Sequence, residues 1–304
     1  MESLYVVGVD LGGSNVRALL ADAGGQPVAE RAKATAGGDA RAVLSQVADL
    51  CRGLARDAGV DWERIAGAAV GVPGVAHSGT LLLAPNLPPF DDVDFAGALS
   101  DELGVAVTVD NDVNVATLAE WRKGHAIGLE DFAFIAIGTG IGMGIVAGGR
   151  LQRGSRGAAG EISALPLGAD PFDPANHVHG ALEEVAGGVG VARRYTERTG
   201  VVVTALDVFD AAAAGDENAH AVVDEHARAV ALATIAVQSV LDPQLIVYGG
   251  GIGSRPDVLD RVHAYVALLT QRPPKLAASA LGERAGAIGA AELARASANG
   301  GANA

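Results

Sequence analysis

Residues 109–144 bring together the side chains of this chain best suited to chemistry, reading VDNDVNVATLAEW and, further on, IAIGTGIGMGIV. A carboxylate in Asp110-Asn111-Asp112 can take a proton from a hydroxyl, while the neighbouring asparagine holds the same molecule by hydrogen bonds. The glycine-rich turn that follows can aim backbone amides at phosphate. A base just ahead of a phosphate-binding turn is what phosphoryl transfer to a hydroxyl requires. Helix capping by Asp or Asn is the competing explanation of the acidic cluster, but a cap uses one such side chain and this stretch offers more.

A second glycine turn, Asp10-Leu11-Gly12-Gly13-Ser14, repeats the theme near the N-terminus. Its glycines let the backbone approach an anion, Ser14 and Asn15 add donors, and Asp10 can hold the magnesium that accompanies a nucleotide. A tight hairpin would account for this turn equally well by itself. The run Gly138-Thr139-Gly140-Ile141-Gly142-Met143-Gly144 goes further, because so many glycines cost backbone entropy unless something sits against them. No G-x-x-x-x-G-K-[ST] sequence is present, and no helix pattern follows either turn closely enough for a dinucleotide fold.

The elements that must position these groups alternate between strand and helix. Apolar runs at residues 4–9 and 16–22 predict a hairpin, and Gly24-Gly25-Gln26-Pro27 turns the chain into a third strand. Residues 42–58 carry Val43, Leu44, Val47, Leu50, Cys51 and Leu54 at helical spacing, and residues 65–72 return as a strand. Residues 105–109 predict a strand ending at the acidic cluster, with a helix carrying Val115, Leu118 and Ala119 beyond it. The same plan restarts with strands at 132–137 and 142–147, followed by a long apolar helix at about 219–241. The reading is an α/β protein built as two similar halves. Cys51 falls on a buried stripe and is expected to be a packed thiol. Residues 297–304 are expected to fray.

The 304 residues carry 36 acidic against 22 basic side chains, a net charge of −14 that argues against nucleic acid or an anionic membrane surface as partner. No apolar run is long enough to span a bilayer. With one cysteine and no signal sequence at Met1, a reducing cytoplasm is the expected location.

Seven blocks in order resemble the bacterial ROK (repressor, open reading frame, kinase) group of sugar kinases, within the hexokinase and actin-like ATPase superfamily. They are DLGGSNVR from Asp10, GVPGV from Gly71 with APNL from Ala84, DNDVNVATLAEW from Asp110, GTGIGMGIV from Gly138, GAAGEI from Gly157, DPQLIVYGGGI from Asp242 and AGAIGAAELA from Ala285. The resemblance implies a two-lobed actin-like (ribonuclease H-like) α/β fold, each lobe a mixed sheet flanked by helices. A smaller lobe would take residues 1–113 and a larger one 114–304, with a final helix at about 285–296 packing back on the first. It implies transfer of the γ-phosphoryl group of ATP to a sugar hydroxyl, most often the 6-hydroxyl of a hexose, with glucose the first choice. Asp112 is similar to the family's catalytic base, and Asn111, Asp112 itself, Glu161 and Glu183 to its sugar ligands. Asp10, through water, with Gly12, Gly13 and Ser14 would meet magnesium and phosphate. Gly138, Thr139 and Gly140 would meet phosphate from the other lobe, and Gly249, Gly250 and Gly251 the adenosine. Homodimers are usual in the family.

One departure is large. Where the family has GH after the glutamate, this chain has Ser163-Ala164, and the cysteine-rich zinc motif is replaced by residues 174–183, PANHVHGALE. His177 and His179, with Asp170 and Asp173 the nearby acids, make no convincing ligand set, so no structural zinc is expected. The other histidines, His77, His125, His220, His226 and His263, are expected on the surface or on helix faces. The departure bears on substrate choice more than on the reaction: fructose, mannose, allose and N-acetylated hexosamines stay open beside glucose. A weakly active or inactive sugar sensor of the same fold is the alternative. A repressor is less expected, since the first phosphate turn lies ten residues from Met1 and leaves no space for a helix-turn-helix region.

Overall fold

The computed structural model describes residues 4–77, 80–82, 87, 90 and 93–300. Ala84, Pro85 and Asn86 of the expected APNL block lie outside the described residues, as do 301–304 of the expected frayed tail. In chain order the strands are β1 (Tyr5–Leu11), β2 (Asn15–Asp22), β3 (Pro27–Ala34), β4 (Ile65–Val72), β5 (Val75–His77), β6 (Thr80–Leu82), β7 (Val107–Asn111), β8 (Phe132–Ile137), β9 (Ile141–Ala147), β10 (Arg150–Leu151), β11 (Leu245–Gly249) and β12 (Leu276–Ala278). The helices are α1 (Ala40–Asp57), α2 (Phe95–Leu103), α3 (Asp112–Lys123), α4 (Glu183–Ala186), α5 (Gly188–Thr199), α6 (Ala205–Ala213), α7 (Glu217–Leu241), α8 (Gly250–Gly253), α9 (Pro256–Leu269) and α10 (Ala285–Ala298).

Two units divide these elements. Unit 1 is Met1–Gly128 with Arg150–Ala159 and Glu283–Ala304, and unit 2 is Leu129–Gly149 with Gly160–Gly282. The division expected after residue 113 thus falls after Gly128, because α3 continues straight from β7 and packs with α10 inside unit 1.

In unit 1 the sheet order is β3-β2-β1-β4-β7, with β2 antiparallel to its neighbours and β1, β4 and β7 parallel. As the central strand, β1 is covered on both faces, which explains its unbroken apolar run: Val6, Val7, Val9 and Leu11 are all buried. α10 lies directly on it. A Cβ at Gly8 would fall 2.2 Å from the backbone nitrogen of Ala291, so a side chain there would drive the helix off the strand. α1 starts at the Asp39 cap, whose carboxylate accepts from the Ala42 amide, and buries Val43, Leu44, Val47, Leu50, Cys51 and Leu54. Burial pushes the Cys51 thiol up to about 12, so it stays protonated in the core. At the far end of unit 1, α10 keeps Ser297 and Ala298 helical where fraying was expected.

The strands of unit 2 repeat the order as β9-β8-β11-β12, with β9 antiparallel to β8 and β8, β11 and β12 parallel. α7 starts at the Asp216 cap and presents Val222, Val223, Val230, Ala233 and Val237 to the core, while α9 packs along it. His226 is fully buried on this same face, in edge-to-face contact with Phe209, and is not a surface residue. Alternation of helix faces alone does not separate a buried imidazole from an exposed one. No helix of the described residues is long and apolar enough to cross a membrane.

Candidate active site

At the end of β7 the chain passes into α3, and the three residues at the junction are used differently. Asn111 is the helix cap: its Oδ1 accepts from the Val113 amide at 2.9 Å and the Asn114 amide at 3.0 Å. Its Nδ2 donates to the carbonyl of Gly74 at 2.8 Å, which ties the cap to the turn after β4. Asp110 is buried and ion-paired. One oxygen accepts from the Asn114 side chain at 3.0 Å and the Asn111 amide at 2.8 Å, and the other receives two nitrogens of Arg153 at 2.7 and 2.8 Å. Asp112 opens the first turn of α3, half-buried, with one carboxylate oxygen accepting from the Val113 amide at 2.8 Å. Capping is therefore real, but it occupies Asn111. The Arg153 pairing occupies Asp110, and Asp112 follows as the first residue of α3.

Asp10 ends the apolar part of β1, opposite Arg17 in the β1–β2 register. The first residues of α10 lie against it, since a Cβ at Gly286 would be 2.4 Å from its carboxyl carbon. Burial raises Asp10 to about 6, against a smaller opposing effect of the Arg17 charge. Its carboxyl makes no hydrogen bond among the described residues, while Arg17 pairs with Glu30 at 2.6 Å. An uncompensated, hard oxygen donor at a strand end fits a hydrated magnesium ion. The turn beyond it, Gly12 to Ser14, closes through the Gly12 amide on the Asn15 carbonyl at 2.9 Å and is anchored by Thr35 Oγ1 on the Gly12 carbonyl at 2.6 Å. Neither glycine has a left-handed φ, so hairpin geometry alone does not demand them.

In unit 2, Glu183 stands against the second glycine turn. Its Oε2 accepts from the Ile141 amide at 2.8 Å, and a Cβ at Gly140 would lie 2.2 Å from that oxygen. What sits against this glycine is therefore a carboxylate of the protein itself. The carbonyls of Gly138 and Thr139 are taken by the Gly188 and Val189 amides at the start of α5, at 2.9 and 3.1 Å. Gly138 itself has open space where a side chain would stand. Burial raises the Glu183 carboxyl above its ordinary range, with the Ile141 hydrogen bond and His179 opposing and Glu161 and Glu184 adding to the rise. Burial raises Glu161 too. Glu161 follows Gly160, whose carbonyl accepts from the Met143 amide of β9 at 3.0 Å.

The Gly249-Gly250-Gly251 run ends β11 and opens α8, and its members have separate reasons. Gly249 packs on the Phe134 ring, and Gly250 takes φ +79 beside the Ile137 carbonyl. Gly251 is exposed, with nothing within 4 Å of its absent Cβ, which leaves room for a ligand to approach. The loop that replaces the cysteine motif is held by short-range polar contacts. Asp170 accepts from the Phe172 amide, Asp173 from the Ala175 amide, and Asn176 donates to the Asp170 carbonyl, all at 2.9 Å. His177 Nε2 lies 2.9 Å from the Pro171 carbonyl, and His179 Nδ1 lies 3.8 Å from Glu183 Oε1. The two rings thus face different partners, and burial of Ala181 and Leu182 anchors the end of the loop.

In unit 1, then, Asp10 and the first turn lie at the end of β1 and the acidic cluster at the end of β7; in unit 2 the second turn joins β8 to β9, the glycine run follows from β11, Glu161 precedes the short turn Ile162–Ala164 and Glu183 opens α4. The sequence reading missed Arg153 and Asn114 as partners of Asp110. The only signal for Arg153 was its place shortly before Glu161.

Two mixed sheets of one strand order, each flanked by helices, define an α/β protein of the actin-like ATPase fold. The ROK family model matches residues 6–297, and the chain belongs to that family. It is 32% identical to a glucokinase of Halalkalibacterium halodurans over 316 aligned residues, covering 95% of this chain and 94% of the other. It is 30% identical to an N-acetylmannosamine kinase of Escherichia coli O1:K1, covering 96% and 99%. A ROK family glucokinase from Streptomyces griseus, solved in complex with glucose and AMPPNP, superposes with a TM-score of 0.81 at 27% identity, covering 96% and 99%.

Proposed function

We propose that the chain is an ATP-dependent sugar kinase that transfers the γ-phosphoryl group to a hexose hydroxyl, most readily the 6-hydroxyl of glucose or a related hexose. The observation that carries this reading is the division of labour at the β7–α3 junction. Asn111 caps the helix and Asp110 is ion-paired with Arg153, and Asp112 stands half-buried at the helix start, where a carboxylate can take the proton of a hydroxyl. The names of the relatives support a sugar as acceptor, and the AMPPNP complex supports ATP as donor.

In this reading Asp112 accepts the proton of the attacking hydroxyl. Glu161 and Glu183 accept hydrogen bonds from other hydroxyls, and Asn111 contributes the part of its amide that the cap does not use. Gly13 and Ser14, with Thr139 and Gly140, offer backbone amides to phosphate on turns that Gly12 and Gly138 close through their own amides, and Gly251 gives the adenosine an open approach beside Gly249 and Gly250. Magnesium, when bound near Asp10, neutralises phosphate charge. No structural zinc is part of this reading, and the loop's own polar contacts support that. A cytoplasmic homodimer is the assembly we infer, on family grounds.

The test is ADP release from magnesium-ATP against glucose, fructose, mannose, allose and N-acetylhexosamines, with Asp112→Asn as control. Turnover of one sugar that disappears in the variant is the expected result. If no sugar is turned over while one still raises the melting temperature, the sensor reading replaces this one.

A further inference from the structure

We infer that His179 is a further sugar-contacting side chain of this site, forming with Glu161 and Glu183 one cradle for neighbouring hydroxyls of a hexose. The inference rests on the kinase reading above and deepens it.

Three observations place the ring there. Gly180, the next residue, has φ +98, and a Cβ on it would fall 2.3 Å from the Ser163 carbonyl oxygen and 2.8 Å from the Ala164 nitrogen. The Leu182 amide also donates to the Ser163 carbonyl, at 3.1 Å. The backbone of 179–182 is thereby pressed onto the backbone just beyond Glu161. Second, His179 Nδ1 lies 3.8 Å from Glu183 Oε1, the oxygen that is not engaged by the Ile141 amide. Third, Glu161 is near enough to Glu183 to act on its charge, so both acids and the imidazole share one neighbourhood.

The ring is not placed there for stability. Its side chain is 43% exposed, and an exposed ion pair of this spacing contributes little to folding. Among the described residues it makes no hydrogen bond, in contrast to His177 in the same loop. Its chemistry is what the two acids lack. Ionised carboxylates only accept hydrogen bonds, whereas a hydroxyl both donates and accepts, and imidazole can supply the donor. Ala164 offers only a methyl group at the same contact.

The experiment is calorimetric titration of glucose and of N-acetylmannosamine, without nucleotide, into the full chain and its His179→Ala, His179→Gln and His177→Ala variants. His179→Ala is expected to weaken sugar binding on the order of tenfold, the scale of one lost hydrogen bond. Magnesium-ATP affinity stays unchanged, His179→Gln recovers part of the loss, and His177→Ala binds like the parent. The proposal is overturned if His179→Ala binds sugar as the parent does, if His177→Ala loses as much, or if glutamine recovers nothing. A parent chain that binds neither sugar nor turns over any hexose overturns the kinase reading itself, and this proposal with it.

Discussion

At the β7–α3 junction, exchanging Asp112 for Asn keeps the size and the helix-start position of the side chain but removes the base. Turnover is expected to fall at least about a hundredfold, with sugar affinity close to the parent's, because general-base catalysis acts on the transition state and not on ground-state binding. Single-turnover kinetics beside sugar titration check the split, and a variant that keeps full turnover removes Asp112 from the chemistry. Asp10 carries a pH prediction. Its carboxyl, raised by burial to about 6, holds a proton increasingly below that pH and then offers magnesium no charge. The apparent magnesium affinity should therefore fall about tenfold per pH unit below pH 6. Magnesium titrations between about pH 5 and 8 read this, and Asp10→Asn should bind magnesium weakly with no such limb. The acidic cluster was legible in the sequence as a whole but not residue by residue. Which member caps and which pairs depends on the Gly74 carbonyl and the Arg153 guanidinium, and both come from segments remote in the chain.

Arg153 shows how an element, and not one side chain, carries the site. Its guanidinium is the ion partner of buried Asp110, and Asp110 in turn holds Asn114 in the first turns of α3. Arg153→Ala strands a carboxylate that is only 8% exposed, while Arg153 itself is 35% exposed and part of the charge is screened. The expected loss is about 1–3 kcal/mol of stability, below the full cost of breaking a wholly buried pair. Urea denaturation measures it. Turnover should fall further than stability alone explains, because the start of α3 carries Asp112; an Arg153→Lys variant would recover charge but not the two-nitrogen contact. The elements themselves were largely readable. Hydrophobic runs gave β1, β2, β4 and β8, and helical spacing gave α1 and α7, because each buries a continuous face. The loop at residues 165–182 was not readable, since side-chain bonds from Asp170, Asp173 and Asn176 to nearby backbone leave no periodic trace.

Across the whole molecule, two buried titratable groups give the two units opposite responses to acid. His226 in unit 2 is lowered from 6.5 to about 4, first by burial and then by the Arg194 charge. Between those values the unfolded chain binds a proton that the folded unit refuses, so its contribution is complete above pH 6.5 and is lost as the pH falls toward 4. Asp10 in unit 1 is raised from 3.8 to about 6, and the folded unit there keeps a proton that the unfolded chain releases. That contribution is present below pH 3.8 and is lost as the pH rises through 6. A whole-chain melting curve would blend the two, so the measurement must resolve them. Hydrogen exchange, corrected for the intrinsic pH dependence of exchange, should show the amides of α7 losing protection from pH 7 to pH 5 (~2 kcal/mol of opening free energy) while those of β1 do not. His226→Leu removes the ionisable ring from the Phe209 contact and should abolish the acid response in α7 alone. Equal protection of parent α7 at both pH values would mean that the buried imidazole does not set the acid response of unit 2.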